Sequence, residues 1–202
     1  MSNEIINYYD YLIQSGNDPV LDPPELRMYM DKWDGALFFS LLNLNSTQTV
    51  LEIGCGTGRL SVKTAPFVKS FCGIDISPNS IKTAKKHLSN TSARLICADF
   101  VSFNFSESFG LVYSSLTFMH IKNKLDAIKK VYNLLFPGGL FVLSIDKNQE
   151  DSITFEQFRI KIFPDDPLQI KKFLKLSGFV KIRLFETEFA YIFSAERSAN
   201  NT

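Results

Sequence analysis

Apolar positions along this chain alternate between short continuous blocks and stripes of helical period, the pattern of strands and helices taken in turn. Val50, Leu51 and Ile53 form the first block and run into Gly54, Gly56 and Gly58 at every second position, with a helical pattern over 59–68 directly after. Further strand-like blocks occupy 71–75 (FCGID), 93–98, 111–115 and 140–145. Ser77 followed by Pro78 is a helix start, the hydroxyl acting as N-cap and the proline standing in the first turn, and this helix runs to about Leu88. Leu125, Ile128, Val131, Leu134 and Leu135 stripe a helix over 122–136 that Pro137, Gly138 and Gly139 stop. Strand then helix, repeated, predicts a parallel sheet covered on both faces. The last quarter differs: a helix over 167–177 ends at Gly178 and leads to strand-like runs at 180–189 and 191–195, too close together for a crossover and therefore antiparallel.

The glycines carry the first chemical information. After a buried strand they permit positive φ and let backbone approach a ligand more closely than any Cβ would allow; the alternative is a tight turn without a ligand. Their spacing is GxGxG, whereas a dinucleotide fingerprint is GxGxxG with the pyrophosphate on the helix N-terminus. Asp75 closes the next strand 19 positions after Gly56, close to the ~20 of a ribose-binding acid, and it could equally cap the helix that starts at Pro78.

Composition narrows the picture further. At 202 residues and 45% apolar content the chain has the size of one globular domain, residues 1–202. Lys and Arg number 22 against 21 Asp and Glu, so the basic excess of a general nucleic-acid binder is lacking, which disfavours RNA or DNA as partner. Cys55, Cys72 and Cys97 form no CxxC pair, which speaks against a metal site and for reduced thiols. The start, MSNEIINYYDYLIQSG, lacks the basic and apolar regions of a signal peptide, and no run reaches the ~18 apolar residues of a membrane span. A cytoplasmic protein without membrane attachment is expected.

Glu52, Gly54, Gly56 and Gly58 together read E-x-G-x-G-x-G, which resembles the first motif of class I S-adenosylmethionine-dependent methyltransferases. The likeness extends over about 49–195, and FPGGLFVLS at 136–144 is similar to the fifth-strand signature of those families. It implies a Rossmann-like α/β fold with a seven-stranded, mostly parallel sheet, helices on both faces and a C-terminal antiparallel hairpin. Residues 1–45 then form an N-terminal helical cap, 49–195 the core, and 146–167, with the strand-like FRIKIF, an insert on the substrate side.

The resemblance implies S-adenosylmethionine as cofactor, and no metal. Glu52, Gly54, Cys55, Gly56 and Gly58 would meet its amino acid end. Asp75, beside Ile76, would take the ribose hydroxyls, and Asp99 the adenine amino group between Ala98 and Phe100. Backbone near Ser115 would receive the ammonium. SSLT after the fourth strand lacks the double proline of nucleobase and glutamine N-methyltransferases, leaving a small-molecule O, N or S acceptor. His120 stands where a general base would, or packs as an ordinary histidine; His87 reads as a surface residue. Tyr8, Tyr11 and Trp33 could lie over the sulfonium as a lid, though helical spacing suits core packing as well. The competing functions are a cofactor-binding sensor or partner without transferase activity, an RNA methyltransferase and a nicotinamide dehydrogenase.

Overall fold

The computed structural model describes residues 3–199. Three helices come first: α1 (Asn3–Gln14), α2 (Pro24–Asp34) and α3 (Ala36–Leu42). The second helical stretch of the cap is thus two helices, broken at Gly35, where an added Cβ would fall 2.6 Å from the Asp31 carbonyl oxygen. A chain that turns so tightly there needs glycine.

Then follow β1 (Thr49–Ile53), α4 (Ser61–Thr64), β2 (Ser70–Asp75), α5 (Pro78–His87), β3 (Arg94–Cys97) and β4 (Phe109–Ser115). The chain continues through α6 (Lys124–Leu134), β5 (Leu135–Asp146), β6 (Ser152–Phe155), β7 (Phe158–Lys161), α7 (Pro167–Leu176), β8 (Phe179–Glu186) and β9 (Ala190–Arg197). Seven strands form one sheet in the order β3-β2-β1-β4-β5-β9-β8, parallel except at β9, which pairs antiparallel with both β5 and β8. β6 and β7 make a separate hairpin inside the insert. The strand order reverses between β1 and β4, and a crevice opens beyond the carboxyl ends of strands at such a point.

Central strands covered on both faces should be apolar at successive positions, and β1 is. Leu51 and Ile53 pack with Val112, Phe141, Ile128 and Leu174 on one side, while Val50 packs with Leu111, Tyr113, Phe38 and Leu42 on the other. Burying Phe38 and Leu42 fully contributes about 1.5–3 kcal/mol each and docks α3 on the sheet. Among the described residues no helix is long and apolar enough to cross a membrane.

Three local expectations are corrected. The helix expected over 59–68 is one turn of α4 followed by a 3-10 turn, Ala65–Phe67, because Pro66 has no N–H to continue an α-helical ladder. The helix expected over 122–136 is α6 alone, capped by Asn123, whose side chain accepts from Asp126 N. His87 is half-buried and engaged, its Nε2 lying 2.7 Å from Asp18 Oδ2. α5 itself starts as expected, with Ser77 Oγ accepting from Ser80 N at 3.0 Å.

Candidate functional site

A cavity of about 270 Å³ lies at the carboxyl ends of β1, β2 and β4. Gly54 and Gly56 form one side, Asp75 and Ile76 another, and Ala98, Phe100, Ser115 and His120 line it as well. Eight of the residues singled out from sequence are therefore brought together.

The glycine loop is held from beneath. Gly54 N donates to the Ile74 carbonyl at 2.8 Å, and Gly56 N donates to Asp75 Oδ2 at 2.9 Å. Asp75 Oδ1 accepts from Ser77 N at 2.9 Å, so one carboxylate fixes both the loop and the entry to α5. The helix cap itself is Ser77, so Asp75 acts two positions before the cap, and its carboxylate keeps lone-pair capacity beyond these bonds. Burial raises the Asp75 pKa, and its backbone hydrogen bonds oppose that. Gly54 has φ +75°, and a Cβ there would meet Thr117 Oγ1 at 2.0 Å. Leu116 also lines the cavity and carries φ +54°, a strained backbone that an L side chain adopts at a cost of about 1–2 kcal/mol.

Other expected residues support the site from outside the cavity. Cys55 is buried, its side chain against Gly73. Gly58 has φ +101° and faces Ala84 of α5 and Leu88, the residue that caps its C-terminus. Glu52 Oε2 accepts from Ser61 Oγ at 2.5 Å and from Tyr113 Oη at 2.9 Å. Burial raises the Glu52 carboxyl to about 8, with those hydrogen bonds opposing the shift. Asp99 lines a neighbouring cavity, and its Oδ1 accepts from Val101 N at 2.8 Å.

The Ser115 side chain has a partner that sequence reasoning missed. Its Oγ donates to Asp34 Oδ2, and Arg59 grips the same fully buried carboxylate through Nη1 at 2.8 Å and Nη2 at 2.5 Å. The end of α2 is thereby tied to the glycine loop and to β4. An acidic residue in a polar helix gave no sign of this.

Tyr9 is the second missed residue. Its Oη lies 2.7 Å from His120 Nε2, the rings cross edge to face, and both line the cavity together with Ile5. Ile5 and Tyr9 are four apart on α1 and share a face, a signal present in the sequence. Burial lowers His120 to about 4, with the Lys124 charge adding to the effect, so the imidazole is neutral at neutral pH. A base this weak is poorly matched to deprotonating a hydroxyl or ammonium group.

The three lid candidates lie outside the cavity wall. Tyr8 packs on Tyr9 and Phe158, and Tyr11 packs on Phe158 and donates to Glu156 at the hairpin tip. Trp33 packs instead against a tilted Phe189 ring and edge to face on Tyr29, with ring centroids 4.7 and 5.3 Å away. α1 is further anchored through Asp10 Oδ1, which accepts from Ser77 Oγ at 2.6 Å and from Asn79 N at 3.1 Å.

Behind His120, Lys124 Nζ donates to the Phe118 and Phe163 carbonyls, both at 2.8 Å, and pairs with Asp165 at 2.7 Å. Phe163 N donates to Met119 O. The 3-10 turn that carries His120, Phe118–His120, is thus stitched to the insert. Among the described residues no group of three or more His, Cys, Asp or Glu side chains could hold a metal ion.

Known proteins resemble this chain in sequence and in fold. Residues 51–143 match the family described as "Methyltransferase domain". A malonyl-[acyl-carrier protein] O-methyltransferase of Ilyobacter polytropus is 31% identical over 142 residues, 66% of this chain and 50% of that protein. The chain spans about half or less of the length of such curated relatives. In fold it is similar to magnesium protoporphyrin IX methyltransferase from Synechocystis PCC 6803 with bound SAM (TM-score 0.69, 18% identity, 98% and 99% of the two chains covered). The DhpI–SAH complex is similar too, with TM-score 0.75, 16% identity, and 98% and 97% covered.

Proposed function

We propose, from the match of residues 51–143 to the methyltransferase domain, that the chain is a class I S-adenosylmethionine-dependent methyltransferase that binds S-adenosylmethionine in the β1–β4 cavity and methylates a small-molecule O, N or S acceptor. The observation that carries this reading is the glycine loop pinned by Asp75. A side chain at Gly54 has no room, a carboxylate with spare lone pairs faces the cavity, and Ala98 and Phe100 give an apolar wall for a purine. These residues fit a nucleoside with free ribose hydroxyls and no phosphate.

S-adenosylmethionine supplies an electrophilic methyl group on a cationic sulfur. The chain's own contribution is alignment and exclusion of water. Asp75 and the glycine backbone fix the nucleoside end; Ser115, restrained by Asp34, fixes the strand end near the amino acid portion; Tyr9 and Ile5 cover the cavity from α1. The insert, 146–167, supplies the acceptor side together with the His120 turn. The likeness to malonyl-[acyl-carrier protein] and other O- and N-methyltransferases supports transfer but does not choose among acceptors.

Calorimetry with S-adenosylhomocysteine and with NAD tests the donor. Micromolar binding of the former alone is the expected result, and preference for NAD would overturn the reading. A sensor without turnover would bind equally well, yet form no product from labelled donor with any acceptor. Steeply salt-dependent RNA binding would instead favour a nucleic-acid substrate.

A further inference from the structure

His120 and Ile5 line two adjoining cavities. The first is the proposed donor site; the second, about 470 Å³, is otherwise lined by residues of four segments, including Lys122, Asn123, Lys161 and Phe163. His120 is 5% exposed, and its Nδ1 is buried without a hydrogen-bond partner among the described residues.

Counting donors and acceptors assigns the ring proton. If Tyr9 Oη–H donates to Nε2, one group stays unmatched, the Nδ1–H. If Nε2–H donates to Tyr9 instead, two are left over, the phenol hydrogen and the Nδ1 lone pair. The first arrangement is favoured, because a buried unpaired group costs about 1–3 kcal/mol. His120 then presents a buried N–H with nothing to donate to.

We propose that the acceptor is an oxyanion, a carboxylate or phosphonate-type group, docked in the second cavity with its reacting oxygen on His120 Nδ1–H and its remaining charge met by Lys122 and Lys161. The inference rests on the methyltransferase reading. Neither lysine has an ion-pair partner among the described residues, and they come from different segments, the loop before α6 and the end of β7. The cavity's two acidic residues are accounted for otherwise: Asp99 accepts from Val101 N and lies near the Lys130 charge, and Glu4 stands in the first turn of α1, where a helix favours negative charge. Lys124 faces His120 from α6, its charge balanced by Asp165.

An oxyanion needs no general base, which agrees with an imidazole that burial holds neutral and weakly basic. The acceptor oxygen gives an electron pair to the methyl carbon as the carbon–sulfur bond breaks and its pair returns to sulfur. A methyl ester and neutral S-adenosylhomocysteine result, with no proton released. His120 acts as a donor that aligns the nucleophile, and Tyr9 holds its tautomer.

The chain has only two histidines, so imidazole nitrogen spectra read the proposal directly. Full-length protein loaded with S-adenosylhomocysteine is titrated with methylphosphonate, malonate, ethanol and ethanolamine, a His87→Gln variant assigning the signals. One or both anions should move the His120 Nδ1 resonance, and which one does so separates phosphonate from carboxylate. The neutral and cationic probes should leave it in place. Replacing both exposed lysines (K122Q, K161Q) should weaken anion binding about tenfold, or about 1.4 kcal/mol, and leave S-adenosylhomocysteine affinity unchanged. Anions that fail to shift His120, or that bind the double variant as well as the native chain, overturn the inference. Failure to bind S-adenosylhomocysteine overturns the methyltransferase reading instead.

Discussion

The two sides of the site are built in different ways. The proposed donor side, at the ends of β1 and β2, is backbone and one carboxylate: Gly54 and Gly56 between the Ile74 carbonyl and Asp75. The opposite side, made by α1, the His120 turn and the insert, is assembled from side chains that meet across the sequence, Tyr9 with His120 and Lys124 with Asp165. Backbone geometry fixed by a local motif holds one ligand in one way. Long-range side-chain contacts can be rewritten singly, and that is where a fold shared by many methyltransferases can change its acceptor.

The contrast can be broken most forcefully at Lys124. Lys124→Met leaves Asp165 buried and unpaired and should destabilise the chain by about 3–5 kcal/mol in urea unfolding. Adding Asp165→Leu should restore most of that stability while the His120 turn stays loosened. If the single variant is neutral, the stitching of that turn is not an energetic feature.

On the donor side, Gly54→Ala places a Cβ on Thr117 at positive φ. It should lower S-adenosylhomocysteine affinity by about a hundredfold, or about 2.7 kcal/mol, in calorimetry. Native affinity would show that the loop is softer than its hydrogen bonds suggest.

Glu52, bonded to Ser61 and Tyr113 beside the glycine loop, makes stability depend on pH. Its folded-state pKa, about 8, lies above the ordinary 4.5, so the stability it contributes is complete below pH 4.5 and is lost as pH rises through 8. Glu52→Gln should remove up to about 1.4 kcal/mol per pH unit of that slope, read as melting temperatures between pH 5 and 8. An unchanged slope would mean that Glu52 is ionised in the native state.

The smallest change is Tyr9→Phe, which removes one hydrogen bond, about 1 kcal/mol of stability, and frees the His120 tautomer. Its S-adenosylhomocysteine affinity should stay within about twofold, or about 0.4 kcal/mol, while anion binding at His120 weakens. Equal losses for both ligands would erase the distinction between the two sides.

What sequence could show follows the same division. The strand ending at Ile53, the alternate glycines, Asp75 and the Ser77 cap are all local signals, and all stand where the pattern puts them. Tyr9 and His120 are 111 positions apart, and Asp34 reaches Arg59 and Ser115 across 25 and 81; no periodicity or spacing encodes such meetings. Trp33 shows the limit from the other direction. Its chemistry suited a lid over a cation, but Phe189, brought near by the turn between β8 and β9, offered a better packing surface. His87 reads as a helix-end surface residue until Asp18, in the loop after α1, arrives beside it.

The anchoring of α1 on α5 also bears on timing. Asp10 is bonded to Ser77 and Asn79, and the same helix lends Ile5 and Tyr9 to the donor cavity. A nucleoside leaving that cavity past α1 would have to wait for the helix to undock. Its residence time would then be set by local opening of the cap rather than by its own contacts, and spent and unspent donor would depart on the same clock.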